Sequence, residues 1–158
     1  MAKEQVKNSE IGHLETQSDN VLMYSDRVAG MDVMIGYVFI GDKLVRSKYV
    51  FSEKHTNENL FINDYMEIKK ILTEKYGTPV EDKPVWSNEL YRSDRQYWGT
   101  AVSAGHLAFM SSWDTPSTSI FHVLRGDNFK MVLGTEYVSK ELRKLEKPSK
   151  QDKPLSDF

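Results

Sequence analysis

Four histidines, His13, His55, His106 and His122, are the first residues to test for chemistry. None stands in a His-x₃-His or His-Glu-x-x-His pair, the spacing that sets two imidazoles on one helix face to grip a metal. With no cysteine in the chain there is no thiolate to complete a zinc or iron–sulfur set, so neither metal nor cofactor is expected. His55 sits in the polar stretch Ser52–Asn59, and His122 between Ile120 and Leu124 reads as an inward or edge residue with its hydrogen bonds satisfied. Ser103-Ala104-Gly105-His106 brings a hydroxyl and an imidazole close in sequence, without the Gly-x-Ser-x-Gly elbow that presents a nucleophile. Because triads form in space, a small hydrolase-like enzyme with a site near Ser103 and His106 stands as the enzymatic alternative. Asp26, Asp32, Asp42, Asp64, Asp94 and Asp114 all fall near turns or element ends, where Asp bonds local backbone. Gly30, Gly36 and Gly41 are too widely spaced to cradle a phosphate.

The richest stretch is the loop 84–105, which interleaves Trp86, Tyr91, Tyr97 and Trp98 with Arg92, Asp94 and Arg95. A long connection in a compact domain is often functional or disordered, and aromatic rings beside guanidinium groups suit stacking on sugars, bases or a partner's side chains. Trp86, Tyr91, Arg92, Arg95, Tyr97, Trp98 and His106 are therefore the candidate binding residues. The competing expectation is that Trp86 and Trp98 fold back to cap the core.

The elements that must hold these residues follow from periodicity. From about Asn63 to Tyr76, Tyr65, Ile68, Leu72 and Tyr76 draw one apolar stripe, widened by Ile71. Asn63 or Asp64 is placed to cap the start, with Glu67 three residues after Asp64; Lys75, Gly77 and Pro79 supply the stop. Asp32–Ile40 alternates with period two, Val33, Ile35, Tyr37 and Phe39 on one face and Met34, Val38 and Ile40 on the other. Further strands are expected at Val21–Tyr24, Leu44–Phe51, Leu107–Trp113, Ser119–Arg125 and Lys130–Val138.

With 158 residues, one domain of ordinary size is expected, and the 21 Lys+Arg against 23 Asp+Glu leave no basic footprint for nucleic acid. No apolar run reaches the length of a membrane helix, so no integral membrane segment is expected. Residues 1–146 read as the domain and 147–158 as a solvated, flexible C-terminal tail, with partner binding as its functional alternative.

Two segments echo each other. Val38 to Lys43 carries Gly41-Asp42 and leads to Tyr49-Val50; Val123 to Asn128 carries Gly126-Asp127 and leads to Tyr137-Val138. Each parses as a hairpin with Gly-Asp at its tip. With a short helical start at Lys3–Glu10 containing Val6, residues 1–52 and 60–139 both read as α-β-β-β units.

The run Lys75-Tyr76-Gly77-Thr78-Pro79 followed by Trp86, with Thr118-Ser119-Ile120 and Tyr137-Val138-Ser139 downstream, resembles a class of uncharacterised bacterial proteins whose amphipathic helix ends in Tyr-Gly-x-Pro. Many of these are secreted or lipid-anchored. The repeated helix-plus-hairpin plan is also similar to the β-lactamase-inhibitor-like fold and to the small lipoproteins of the outer-membrane barrel-assembly machine. The resemblance spans about 63–139 and carries over no functional residue. It implies the cell envelope or periplasm if a leader precedes Met1, and the cytoplasm otherwise.

The sequence thus points to an α+β domain, an antiparallel sheet of about six strands with helices on one face. The function it points to is a non-enzymatic binding or structural module, taking protein or peptide on an open sheet face or on the aromatic loop. Oligomeric state is not encoded in any motif.

Overall fold

The computed structural model describes residues 1–146; the stretch read as a tail, from Lys147, lies outside the described residues. The order is α1 (Lys3–Ser9), β1 (His13–Gln17), β2 (Val21–Val28), β3 (Met31–Ile40), β4 (Lys43–Phe51), α2 (Asn59–Tyr76), β5 (Glu81–Trp86), α3 (Trp98–Ser103), β6 (Leu107–Asp114), β7 (Thr118–Asp127) and β8 (Lys130–Ser139). One 3₁₀ turn, Arg95–Tyr97, precedes α3 and another, Leu142–Leu145, follows β8.

All eight strands join one sheet in the order β1-β2-β3-β4-β8-β7-β6-β5. Every neighbouring pair is antiparallel. This corrects the six-strand α+β plan: the described residues are mostly sheet, 45% in strands against 26% in helices and 3₁₀ turns, with eight strands and three α-helices among them. The first half runs α1 then four strands, and the second runs α2, β5, α3 and three more strands, so each half has four strands and not three. The two missed strands are the sheet's edges. β1 is exposed along its whole length and shows no apolar alternation. β5 is charged, carries Pro84, and is exposed up to its half-buried last residue Trp86. Edge strands bury little and are blunted by charge, proline and shortness, so the pattern that reveals internal strands is missing from them.

Tyr24, Ile35, Phe51, Phe109, Ile120, Leu124 and Leu133 alternate onto one face and form a continuous core with Tyr65, Ile68 and Leu72 of α2 and Ala101 and Val102 of α3. α2 packs on β6, β7 and β8. It starts one turn earlier than expected: Asn59, not Asn63, opens it, and the cap position, Glu58, makes no side-chain cap bond. Asp64 instead bonds His55 at 2.6 Å. Ile71 stays outside the stripe, 47% exposed. The stop is as expected, Gly77 taking φ 90°, and its carbonyl accepts the Trp113 Nε1–H at 2.9 Å.

Four buried polar groups tie α2 to the sheet. His122 stacks on Tyr65 at 4.4 Å between ring centres. Its Nε2–H donates to the Tyr65 carbonyl at 3.0 Å, leaving Nδ1 to accept from the Thr135 hydroxyl at 2.9 Å. The Tyr65 hydroxyl meets Ser111 Oγ at 2.5 Å, and Ser111 reaches Asp82, which pairs with Lys69 of α2. Burial lowers the His122 pKa to about 4 and raises that of Tyr65, so both are neutral and satisfied.

The two Gly-Asp pairs are not equivalent. Gly41 and Asp42 form the β3–β4 turn with φ 57° and 60°. In the β7–β8 hairpin the turn is Asn128-Phe129, and Gly126 lies within β7 opposite Met131. There a Cβ would collide with the Val102 carbonyl and the Ser103 backbone, so this glycine serves the close approach of α3. The Tyr-Val pairs, by contrast, fall symmetrically about the central seam. Lys48 faces Glu136, and Tyr49 and Tyr137 each lie one residue further along their strands.

Candidate functional site

The aromatic loop folds into two short stacks at the β5–β6 edge. Trp86 and Trp98 meet edge to face at 5.5 Å, and Trp98 continues to the core ring of Phe109 at 6.4 Å. Tyr91 lies between Tyr97, at 5.6 Å, and His106, at 5.9 Å. The Arg95 guanidinium covers the Trp98 ring at 4.8 Å, while Arg92 pairs with Glu89 at 2.9 Å and its carbonyl accepts from Trp98 Nε1. All seven candidate residues are thus in one region. Asn59 clamps it to α2, accepting from Gly99 N at 2.7 Å and donating to the Gln96 carbonyl at 2.9 Å. Trp86, Tyr91 and Trp98 pack against the core, whereas Tyr97, Arg92 and Arg95 are exposed. The rings occupy one another's faces, so the region offers a surface more than a slot.

Ser103 and His106 do not form a catalytic pair. Ser103 is 1% exposed, and its hydroxyl donates to the Thr100 carbonyl at 3.1 Å, back along α3. His106 stacks on Tyr91, with Nδ1 buried and without a hydrogen bond among the described residues. No group of three or more His, Asp or Glu among the described residues is placed to hold a metal.

The opposite face of the sheet carries no described α-helix. Its residues follow from the register. One row crosses five strands as Met34, Val50, Gly134, Val123 and Met110. The next runs Met23, Gly36, Lys48, Glu136 and Phe121. At its centre Glu136, fully buried, lies 3.3 Å from Arg46 and 3.8 Å from Lys48, and Glu146 closes on Arg46 from beyond the last 3₁₀ turn at 2.9 Å. Met23, Met34, Val50, Phe121 and Met110 are only half-buried. Gly36 stands out among them. It is mid-strand, its φ is not positive, and a Cβ built there meets nothing within 4 Å. Neither turn geometry nor crowding asks for glycine at this position, which leaves a dent beside two methionines.

A further feature escaped the sequence reading. Tyr24, Tyr37, Tyr49, Tyr137 and Tyr76 form a row on the helix side, with ring-centre distances of 6.0 Å for Tyr24–Tyr37, 5.7 Å for Tyr49–Tyr137 and 6.4 Å for Tyr137–Tyr76. Tyr37 donates to Glu10 and interacts with the Tyr49 hydroxyl. The available signal was one tyrosine on each of four strands, all in core-facing register; it becomes a row only once β4 is known to pair with β8.

No protein-family model, curated protein or solved structure matches the chain. Among the described residues, no helix is long and apolar enough to cross a membrane.

Proposed function

We propose that this protein is a non-enzymatic binding module that takes a protein or peptide segment on the helix-free face of its sheet. The observation that carries the proposal is Gly36. A glycine inside a strand costs roughly 0.5–1 kcal/mol relative to a residue with a side chain, and here it has open space above it and an ordinary φ. Interior strand glycines of this kind mark sites where a ligand or another backbone approaches closely. Met23 and Met34 at its border are unbranched and polarisable, which suits them to adapt around an inserted side chain. The likeness to the bacterial class with the Tyr-Gly-x-Pro helix end belongs to this proposal, supported by the Gly77 stop of α2.

A second reading places the contact on the aromatic loop. Tyr97, 45% exposed, and Arg95, stacked on Trp98, favour it. The enzymatic alternative draws no support from the buried, backbone-bonded Ser103.

Panning a random peptide display library against the full chain separates the readings. Selected peptides should bind the wild type and lose at least about tenfold in affinity on Gly36→Val, a difference of roughly 1.4 kcal/mol. The urea midpoint of that variant should be unchanged or higher, because valine favours an open strand site. Peptides that bind Gly36→Val as well as wild type but fail on Tyr97→Ala would transfer the site to the loop. Failure to select any peptide would overturn the module itself.

A further inference from the structure

Beyond β8 the chain is handed onto the helix-free face of the sheet. The Leu142 N–H donates to Ser139 Oγ at 3.1 Å, and the 3₁₀ turn Leu142–Leu145 packs on β4 and β8. Glu146 then closes on Arg46 at 2.9 Å, with only 6% and 5% of the two side chains left exposed. Arg46 pairs with Val138 across the seam, one row away from Lys48 and Glu136 on the same face. Glu146 is the last of the described residues, so the stretch 147–158 sets out beside the row Met23, Gly36, Lys48, Glu136 and Phe121.

This face is more closed to water than a side without a described helix would be. Glu136 is fully buried, and Val123 and Val138 are 1% and 3% exposed. Around them Met23, Met34, Val50, Phe121 and Met110 are half-buried, and the dent at Gly36 has nothing within 4 Å of a Cβ built there. Alternation along β4 and β7 adds two cations to the same side, Lys48 two residues from Arg46 and Arg125 two residues from Val123. The surface is therefore apolar at its centre, with positive charge near it, and contiguous apolar surface of this kind marks a place of contact.

We infer that the stretch 147–158 of this same chain returns over the helix-free face and seats Phe158 in the dent at Gly36, beside Met23 and Met34. Reach is ample. Lys48 is about 7 Å along β4 from Arg46, and Gly36 is about 5 Å beyond it on β3. The twelve residues 147–158 span up to about 40 Å. The chemistry fits as well. Leu155 and Phe158 are the bulky apolar residues of this stretch, and methionines adapt around an inserted ring. Asp157, next to Phe158, brings a carboxylate toward Lys48 and Arg125. A tethered segment within reach is present at an effective concentration on the order of millimolar, ahead of a separate peptide at lower concentration. The inference rests on the reading of the Gly36 face as a docking surface and names its resident occupant, which an incoming peptide has to displace.

The test is NMR of the full chain carrying ¹³C at its methionine ε-methyls, with no peptide added. Nuclear Overhauser peaks are expected from the Phe158 ring to the methyls of Met23 and Met34, at an intensity that dilution leaves unchanged. Phe158→Ser should abolish those peaks and move both methyl signals, while the signal of the core residue Met31 stays in place and reports an intact fold. Leu155→Asp keeps the ring but sets a charge against the apolar face, and should weaken the same peaks. The inference is overturned if the peaks are missing, or if Phe158→Ser leaves the Met23 and Met34 signals where they were. It is equally overturned if the peaks fade on dilution, which would assign the face to the same stretch of a second copy. Because no peptide takes part, an unsuccessful library selection leaves these peaks in place, and missing peaks leave the selection to be judged by itself.

Discussion

The β5–β8 half lies beneath α2 and α3, which bury Tyr65, Ile68, Leu72, Ala101 and Val102, whereas α1, on the β1–β4 half, has seven residues and buries only Val6. What fastens α1 is largely polar: Glu10 takes the Tyr37 proton donor, the Lys3 ammonium reaches the Ser18 carbonyl at 2.6 Å, and the Lys3 N–H meets Asp42 at 3.1 Å. A helix of this length does not persist in water without tertiary contacts. One sheet therefore carries two covers of very different strength, and the weaker half relies on the β4–β8 seam to share the stability of the stronger.

The largest expected effect is in the stronger half. Trp113→Ala removes a ring that is 1% exposed and strips the Gly77 carbonyl of its donor, for a loss of about 3–5 kcal/mol in urea unfolding. If both halves melt together in that variant, the seam makes them one cooperative unit; separate transitions of α1 and α2 probes would break the sharing just described. Acid attacks the same half through His122. The unfolded chain protonates this residue near 6.5 and the folded chain only near 4, so the unfolded state holds more protons between those values. Stability from this residue is complete above about pH 6.5 and falls as pH drops through that window, by up to about 3 kcal/mol. Urea midpoints measured from pH 7 to pH 4 should show this slope, and His122→Gln should flatten it. The smallest effect is in the weaker half. Val6→Ala should cost about 1.5 kcal/mol, the worth of two methyl groups. Its amide exchange should quicken in α1, β2 and β3 while α2 stays protected; equal acceleration in α2 would erase the contrast between the covers.

The same contrast governed what was legible in the sequence. Internal strands announce themselves by alternation, as Val33, Ile35 and Phe39 do, and α2 by its stripe and its Tyr-Gly stop. β1 and β5 are edges with little to bury, and their solvated or charged residues read as loop. The start of α2 was misplaced because Asn59, which has capping chemistry, spends its side chain on Gly99 and Gln96 instead. At the candidate sites, the gathering of Trp86, Tyr91, Tyr97 and Trp98 was readable because they are neighbours in the chain. The tyrosine row was not, since it is assembled by the β4–β8 register from residues nearly ninety positions apart, about which local pattern carries no information.

Chain order at that register has a consequence for biogenesis. β4 has its first neighbour, β3, as soon as the two emerge from the ribosome, but its second neighbour is β8, the last of the described strands in chain order. Until then a nascent N-terminal half displays a nine-residue strand with bare N–H and C=O groups on one side, an invitation to intermolecular pairing. That side of β4 is covered only once β8, through Ser139, has been made.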